Sequence, residues 1–301
     1  MAATPGYEHI GATVESEDSA LGRWTVAHWS PSASSRLSGA VERIWYFDGV
    51  IVYPKERVFP DGIAELIVML DEPHRNGDAN ALVPFPAVCI NGLRTRSSVV
   101  VAPPGRCRVL GICFAPLGAG VLMRASMKDL LDVTIDLRHA LGRAADELGE
   151  RCSGAAATSA WNPERNAVAV LRAAAHWTER RIAGNGVADP MLSWSVRAIR
   201  DARGIVSVEA IRERSGLSRP RLAQRFRDGL GVTPKRFARM VRFHNALVLL
   251  AREKNVALAA AELAYYDQAH MYRDFEEFAG MTPGAFLSAR RYPGSASLVE
   301  S

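Results

Sequence analysis

Apolar positions follow two different rhythms along these 301 residues. Up to about residue 122 they come in short runs rich in β-branched and aromatic side chains. Val41 to Phe47, Ile63 to Leu70, Ala87 to Ile90, Ser97 to Ala102 and Arg108 to Phe114 are such runs, and each predicts a strand. Pro60-Asp61-Gly62, Asn76-Gly77, Asn91-Gly92 and Pro103-Pro104-Gly105 punctuate them with turn residues. Several short strands between such turns predict a small sandwich or half-barrel. Ahead of them, residues 1–35 predict a loose arm and one or two edge strands. Apolar spacing then changes to three and four over Leu117 to Met127, Leu137 to Leu148 and Arg165 to Ile182, which predicts helices. Ser153 to Pro163 reads as a loop between two of them. Gly184-Asn185-Gly186 through Asp189-Pro190 reads as a linker, with a domain boundary near residue 188.

Beyond that boundary the pattern repeats itself. Leu222, Phe226, Gly231, Thr233, Pro234 and Phe237 recur 49 positions later as Met271, Phe275, Gly280, Thr282, Pro283 and Phe286. In each copy, apolar residues four apart mark one helix, Gly ends it in a left-handed conformation, Thr caps the next helix and Pro opens it. The first copy predicts a short helix Val208 to Ser215, a turn at Gly216, and a helix capped by Ser218 that runs to about Leu230. The second predicts a short helix Val256 to Leu263 and a helix capped by Asp267 that runs to about Ala279. A long helix from Pro234 to about Arg252 joins them. Helix, tight turn and second helix, with Arg, Gln and His facing outward, is the pattern of a helix-turn-helix reader of DNA. One copy alone weighs little, because two-helix patterns with polar faces are common. Two copies with the same punctuation weigh much more.

Charge points the same way. Residues 190–291 hold 18 Lys and Arg against 10 Asp and Glu, whereas residues 1–189 hold 19 against 21. A basic excess confined to the helical third predicts a polyanionic partner for that third, double-stranded DNA above all. The first twenty residues carry four acidic and no basic side chains, the wrong pattern for a targeting peptide. No apolar run reaches the ~20 residues that span a bilayer. The expectation is a cytoplasmic protein with no membrane partner.

Residues from about 192 to 291 resemble the DNA-binding domain of the AraC/XylS family of bacterial transcription regulators. The resemblance rests on Ser215-Gly216-Leu217-Ser218-x3-Leu222-x3-Phe226, on Gly231-Val232-Thr233-Pro234-x2-Phe237, and on Tyr265-Tyr266-Asp267-Gln268-Ala269-His270-x4-Phe275-x4-Gly280-Met281-Thr282-Pro283-x2-Phe286. The resemblance implies base-facing positions at Pro220, Ala223 and Gln224 in the first reader, and at Gln268, Ala269, His270 and Arg273 in the second. Since Pro220 and Ala223 donate no side-chain hydrogen bond, the first reader leans on Arg219, Arg221, Gln224, Arg227 and apolar contact with thymine methyls, and Arg219, Arg221, Arg225 and Arg227 are expected to mix phosphate and base contacts. Lys235 and Arg236, beside the positive end of the long helix, suit phosphate contacts. The family usually has Gly where this chain has Ala264, so a positive φ there would cost ~1 kcal/mol.

Upstream, the chain resembles more weakly the β-rich sensor halves that accompany such readers, through Pro60-Asp61-Gly62 before Glu65-Leu66-Ile67-Val68 and through Gly111-Ile112-x-Phe114-x-Pro116. The resemblance implies a half that binds a small effector, forms a homodimer, or does both. RNA polymerase joins the partners if the protein activates. Trp45, Phe47, Phe59 and Glu65 are the candidate effector residues, an apolar wall with one polar anchor; each serves equally well as plain core. No catalytic motif, resident cofactor or metal cluster is expected: Cys89, Cys107, Cys113 and Cys152 form no CxxC pair, and the histidines are dispersed. The expected fold is α+β. It comprises a sensor domain over 1–187 (β-rich 20–122, helical 123–183) and an all-α tandem helix-turn-helix domain over 188–292. The expected function is sequence-specific transcription regulation under a small effector. The alternative is a ligand-binding or interaction module whose basic bundle docks an acidic protein.

Overall fold

The computed structural model describes residues 11–53, 55–78, 82–157, 162–185, 189–290 and 297–300. Among these residues ten strands come first: β1 (Thr13–Ser19), β2 (Gly22–Trp29), β3 (Val41–Ile51), β4 (Lys55–Val58), β5 (Glu65–Met69), β6 (Arg75–Asn76), β7 (Val83–Pro84), β8 (Val88–Asn91), β9 (Ser98–Val101) and β10 (Arg106–Phe114). Helix α1 (Gly118–Met123) and a 3-10 turn (Met127–Leu130) follow, then β11 (Thr134–Asp136), α2 (Leu137–Leu141), α3 (Arg143–Ala156) and α4 (Pro163–Ile182). The described C-terminal region is built from seven helices: α5 (Pro190–Asp201), α6 (Val208–Ser215), α7 (Arg219–Leu230), α8 (Pro234–Glu253), α9 (Val256–Glu262), α10 (Gln268–Ala279) and α11 (Pro283–Ser288). The short strand β12 (Leu298–Glu300) comes last.

The strands form two antiparallel sheets, one ordered β1-β2-β3-β10-β5-β8-β11 and the other β12-β4-β9-β6-β7. Period-2 alternation on β3 decides the layering. Ile44 and Tyr46 are fully buried in the main core, together with Leu66, Val68, Leu110 and Ile112. Ala145 and Leu148 of α3 and Val170, Leu171, Ala174 and Trp177 of α4 belong to that same core. The Trp177 indole N–H donates to the Ala144 carbonyl at 3.0 Å, fixing α4 against α3. Trp45, between Ile44 and Tyr46 on β3, instead joins Ile67, Met69, Cys89 and Val109. Its register partner is Gly111, where a Cβ would fall 2.2 Å from the indole. Only glycine lets that ring lie across the strand.

Several predicted bounds shift. The expected helix Leu137 to Leu148 breaks at Gly142, whose φ of 56° leaves the helical region. The expected loop from Ser153 is helical through Ala156, because Cys152 and Ala156 both sit buried one turn apart; 158–161 lie outside the described residues. Helix α1 stops at Met123, where Arg124 turns left-handed with φ 54°. The linker reading falls partly on 186–188, also outside the described residues, as do 1–10 of the expected arm. The four cysteines are free and buried, and burial pushes the thiols of Cys89 and Cys152 up to about 12.

The helical region meets the β-rich half along a continuous seam, with Phe237, Phe275 and Phe286 in the same core cluster as Ile44 and Leu66. Arg200 of α5 binds Glu42 of β3 through two hydrogen bonds of 2.7 and 3.0 Å. The Phe59 ring meets Phe243 of α8 and Phe286 of α11 edge-on, at 6.5 and 5.8 Å. Ser97 donates its backbone N–H to the Phe278 carbonyl at 2.7 Å and its hydroxyl to the Ala279 carbonyl at 2.9 Å. Those are last-turn acceptors of α10 that the helix itself cannot satisfy. Strand β12 pairs with β4 and so returns the chain to the second sheet.

Candidate nucleic-acid interface

Local chemistry builds the two helix-turn-helix units. Gly216 separates α6 from α7, and α7 buries Leu222, Phe226 and Leu230 along one stripe. In the second unit α9 leads through the buried Leu263 into the turn, where Asp267 accepts from the His270 N–H at 2.6 Å to cap α10. Met271, Phe275 and Phe278 are the buried stripe of α10. Gly231 and Gly280 end α7 and α10 with φ of 83° and 68°, where a side chain would be strained. Thr233 and Thr282 then accept from the N–H groups of Arg236 and Ala285 at 3.3 and 3.1 Å, capping α8 and α11. Ser218 holds the N-cap position of α7, but its side chain makes no capping bond. Pro220, in the first turn, has no N–H to offer it.

Helix α8 runs unbroken over its 20 residues, ~30 Å at ~1.5 Å per residue. That is close to the ~34 Å between successive major-groove openings on one side of a duplex. On α8, Arg239 donates to the buried Asp274 of α10 at 2.7 and 3.0 Å and to Glu277 at 2.5 Å. Burial opposes the Arg239 charge, but the two carboxylates outweigh it and raise its pKa. Arg242 lies 4.8 Å over the Tyr265 ring, holding the second turn.

Ala264 in that turn has φ 49°, so it is a left-handed alanine. Relieving it with Ala264→Gly offsets the greater freedom of an unfolded glycine, and a net gain of about 0.5–1 kcal/mol is expected. Urea unfolding checks this: the midpoint should rise with an unchanged slope.

The expected contact residues divide into free and engaged side chains. Pro220, Arg221, Gln224 and Arg227 are exposed on α7, with Ala223 half-buried beside them. Arg219 is exposed but paired with Glu209 at 3.1 Å, and Gln224 donates to Asp228 at 2.8 Å. Arg225 binds Asp189, at the cap of α5. Lys235 is exposed, whereas Arg236 pairs with Glu277 at 3.5 Å. On α10, Gln268, Ala269 and Arg273 are exposed. His270 is half-buried and packs edge-on against Tyr265 at 5.3 Å. Sequence reasoning passes over Tyr272, an exposed residue one helical turn beyond Gln268.

The four candidate effector residues do not converge. Trp45 donates to Glu65 at 2.6 Å, and the Cys113 thiol donates to the same oxygen at 3.1 Å. Burial pushes the Glu65 carboxyl up. Phe47 lies instead with Trp24, ring centres 6.1 Å apart, and Phe59 belongs to the seam. Trp45 and Phe59 thus pack against different clusters of the core. Among the described residues, no group of three His, Cys, Asp or Glu could hold a metal ion. Nor is any helix there long and apolar enough to cross a membrane.

Residues 212–289 match a helix-turn-helix domain family. The C-terminal region is an AraC-type helix-turn-helix domain. The match takes in the second reading helix, α10, and most of the first unit, and covers about a quarter of the chain. Residues 30–136 match a domain of unknown function, DUF6597. No curated protein matches the chain. Similar solved structures include ToxT from Vibrio cholerae O395, at 12% identity, 80% of this chain, 96% of that chain and a TM-score of 0.42. ToxT bound to (E)-4-(8-methylnaphthalen-1-yl)but-3-enoic acid is similar at 10% identity, 80% and 98% coverage and a TM-score of 0.44. The AraC-like transcriptional activator CuxR is similar at 15% identity, 81% and 87% coverage and a TM-score of 0.31.

Proposed function

We propose that the protein reads a specific DNA site with both helix-turn-helix units and that the β-rich half carries the regulatory input. The observation that supports this most is the unbroken α8 joining two units whose outward faces carry Arg221, Arg227, Gln268 and Arg273 in the basic third. Arg suits guanine and Gln suits adenine in the major groove. Arg219, Lys235 and Arg236 serve as phosphate contacts, with Arg219 and Arg236 exchanging their carboxylate partners for phosphate. A small effector acts from the β-rich half, where the Trp45–Glu65 pair supplies an aromatic wall and a polar anchor.

Gln268→Ala or Arg273→Ala is expected to cost ~1–3 kcal/mol at one or two base pairs and to relax selectivity there. Competition binding with point-mutated duplexes measures this. Equal weakening on every sequence would exclude base readout at these positions. Affinity should also fall steeply with added salt; a flat response without sequence preference would count against DNA reading and favour a bundle that docks an acidic protein.

A further inference from the structure

We propose that Asp228 is a positioning residue of the first reader, whose carboxylate orients the Gln224 amide for a base edge. The inference rests on the DNA-reading function above and adds to it what sets the aim of one reading side chain. Helix α7 buries Leu222, Phe226 and Leu230. At about 100° per residue, Gln224 and Asp228 lie opposite that stripe, each about 20° from the centre of the outward side. Both are exposed, and Gln224 Nε2 donates to Asp228 Oδ1 at 2.8 Å. A reading helix meets base edges with its N-terminal part. Asp228 stands one turn behind Gln224, near the end of α7, and so acts through Gln224 rather than on a base.

The chemistry of the pair decides which end of the amide goes where. A carboxylate only accepts, so it takes the NH2 end of Gln224; a flipped amide would set two oxygens face to face. Pairing with adenine uses the amide oxygen and one N–H. The amide has two N–H groups, so Asp228 holds one while the other and the oxygen stay available. The carboxylate is itself held in place. Ser126, in the turn after α1, donates its hydroxyl to the Asp228 carbonyl oxygen at 3.3 Å. Just beyond, a Cβ at Gly229 would fall 2.5 Å from Leu192, and one at Gly231 3.0 Å from the Met127 carbonyl oxygen. The end of α7 thus has little room to shift. A negative charge there lies at the negative end of the helix dipole and on the side that approaches phosphates. It serves neither helix stability nor backbone attraction, which leaves the Gln224 amide as what it serves.

The test uses the full-length protein and a duplex enriched by selection from a random pool. Gln224→Ala first locates the base pair at which that side chain contributes. Asp228→Ala should cut discrimination at the same base pair ~2–5-fold, within the share that a bidentate Gln–adenine pair supplies. Preferences elsewhere should hold, and the urea midpoint should not fall. Affinity for random duplex should hold or rise, since a carboxylate has gone. Asp228→Asn keeps an acceptor oxygen and should retain the discrimination. In the Gln224→Ala background, Asp228→Ala should change no base preference. Unchanged discrimination in Asp228→Ala, or equal weakening on selected and random duplexes, overturns the assignment. So does an Asp228→Asn protein that loses as much as Asp228→Ala, or a Gln224→Ala protein that keeps every preference. Failure of the unmodified protein to bind any duplex would instead sink the DNA-reading function itself.

Discussion

Arg239→Ala is expected to destabilise the protein by about 3–5 kcal/mol. The carboxylate of Asp274 is fully buried on α10, and the Arg239 guanidinium is its ion-pair partner. Removing the cation strands a negative charge away from water, and, among the described residues, α10 keeps only the Arg236–Glu277 pair as a polar tie to α8. Urea unfolding measures the loss. Replacing both partners, Arg239→Met with Asp274→Leu, should recover most of it, because well-packed apolar side chains substitute for a buried pair. A single-variant cost below ~1 kcal/mol would show that water or a rearranged neighbour solvates Asp274.

Phe243→Ala should cost a similar ~3–5 kcal/mol through the cavity it leaves. Its fully buried ring touches Phe275 and Phe278 of α10, at 5.1 and 5.3 Å, and Phe59 on the other side of the seam. The vacated space therefore opens between the second reader and the β-rich half together. Thermal melts followed by helix circular dichroism and by tryptophan fluorescence should shift in parallel. A shift of the helical signal alone would show that the Phe59 contact contributes nothing to holding the halves together. Phe243→Leu, which keeps much of the volume, should cost less than half as much.

The helix-turn-helix units are legible in the sequence because their punctuation is local. Thr233, Thr282 and Asp267 cap the helices that follow them, and Gly231 and Gly280 take the left-handed conformations their positions predict. The longer strands are legible for the same reason, as runs between turn residues. What escapes depends on distant partners. Strand β11 exists through pairing with β8, and β12 through pairing with β4. Helix α3 continues to Ala156 through burial that the Ala and Ser content does not announce. The outward faces of α7 and α10 follow from period 3.6, but the engagement of Arg225 by Asp189 and of Arg236 by Glu277 joins residues far apart in the chain. The dispersal of Trp45, Phe47 and Phe59 is equally invisible, since residue type says nothing of which face or seam a ring joins.

The Ser97 and Phe59 contacts limit how freely this architecture can be recombined. Grafting an unrelated sensor onto residues 190–290 would leave Phe243 and Phe286 without their covering ring and the last carbonyls of α10 without their donor. Changes at positions 59 and 97 must therefore be matched on α8, α10 and α11, which makes the two halves co-adapted pieces rather than interchangeable modules.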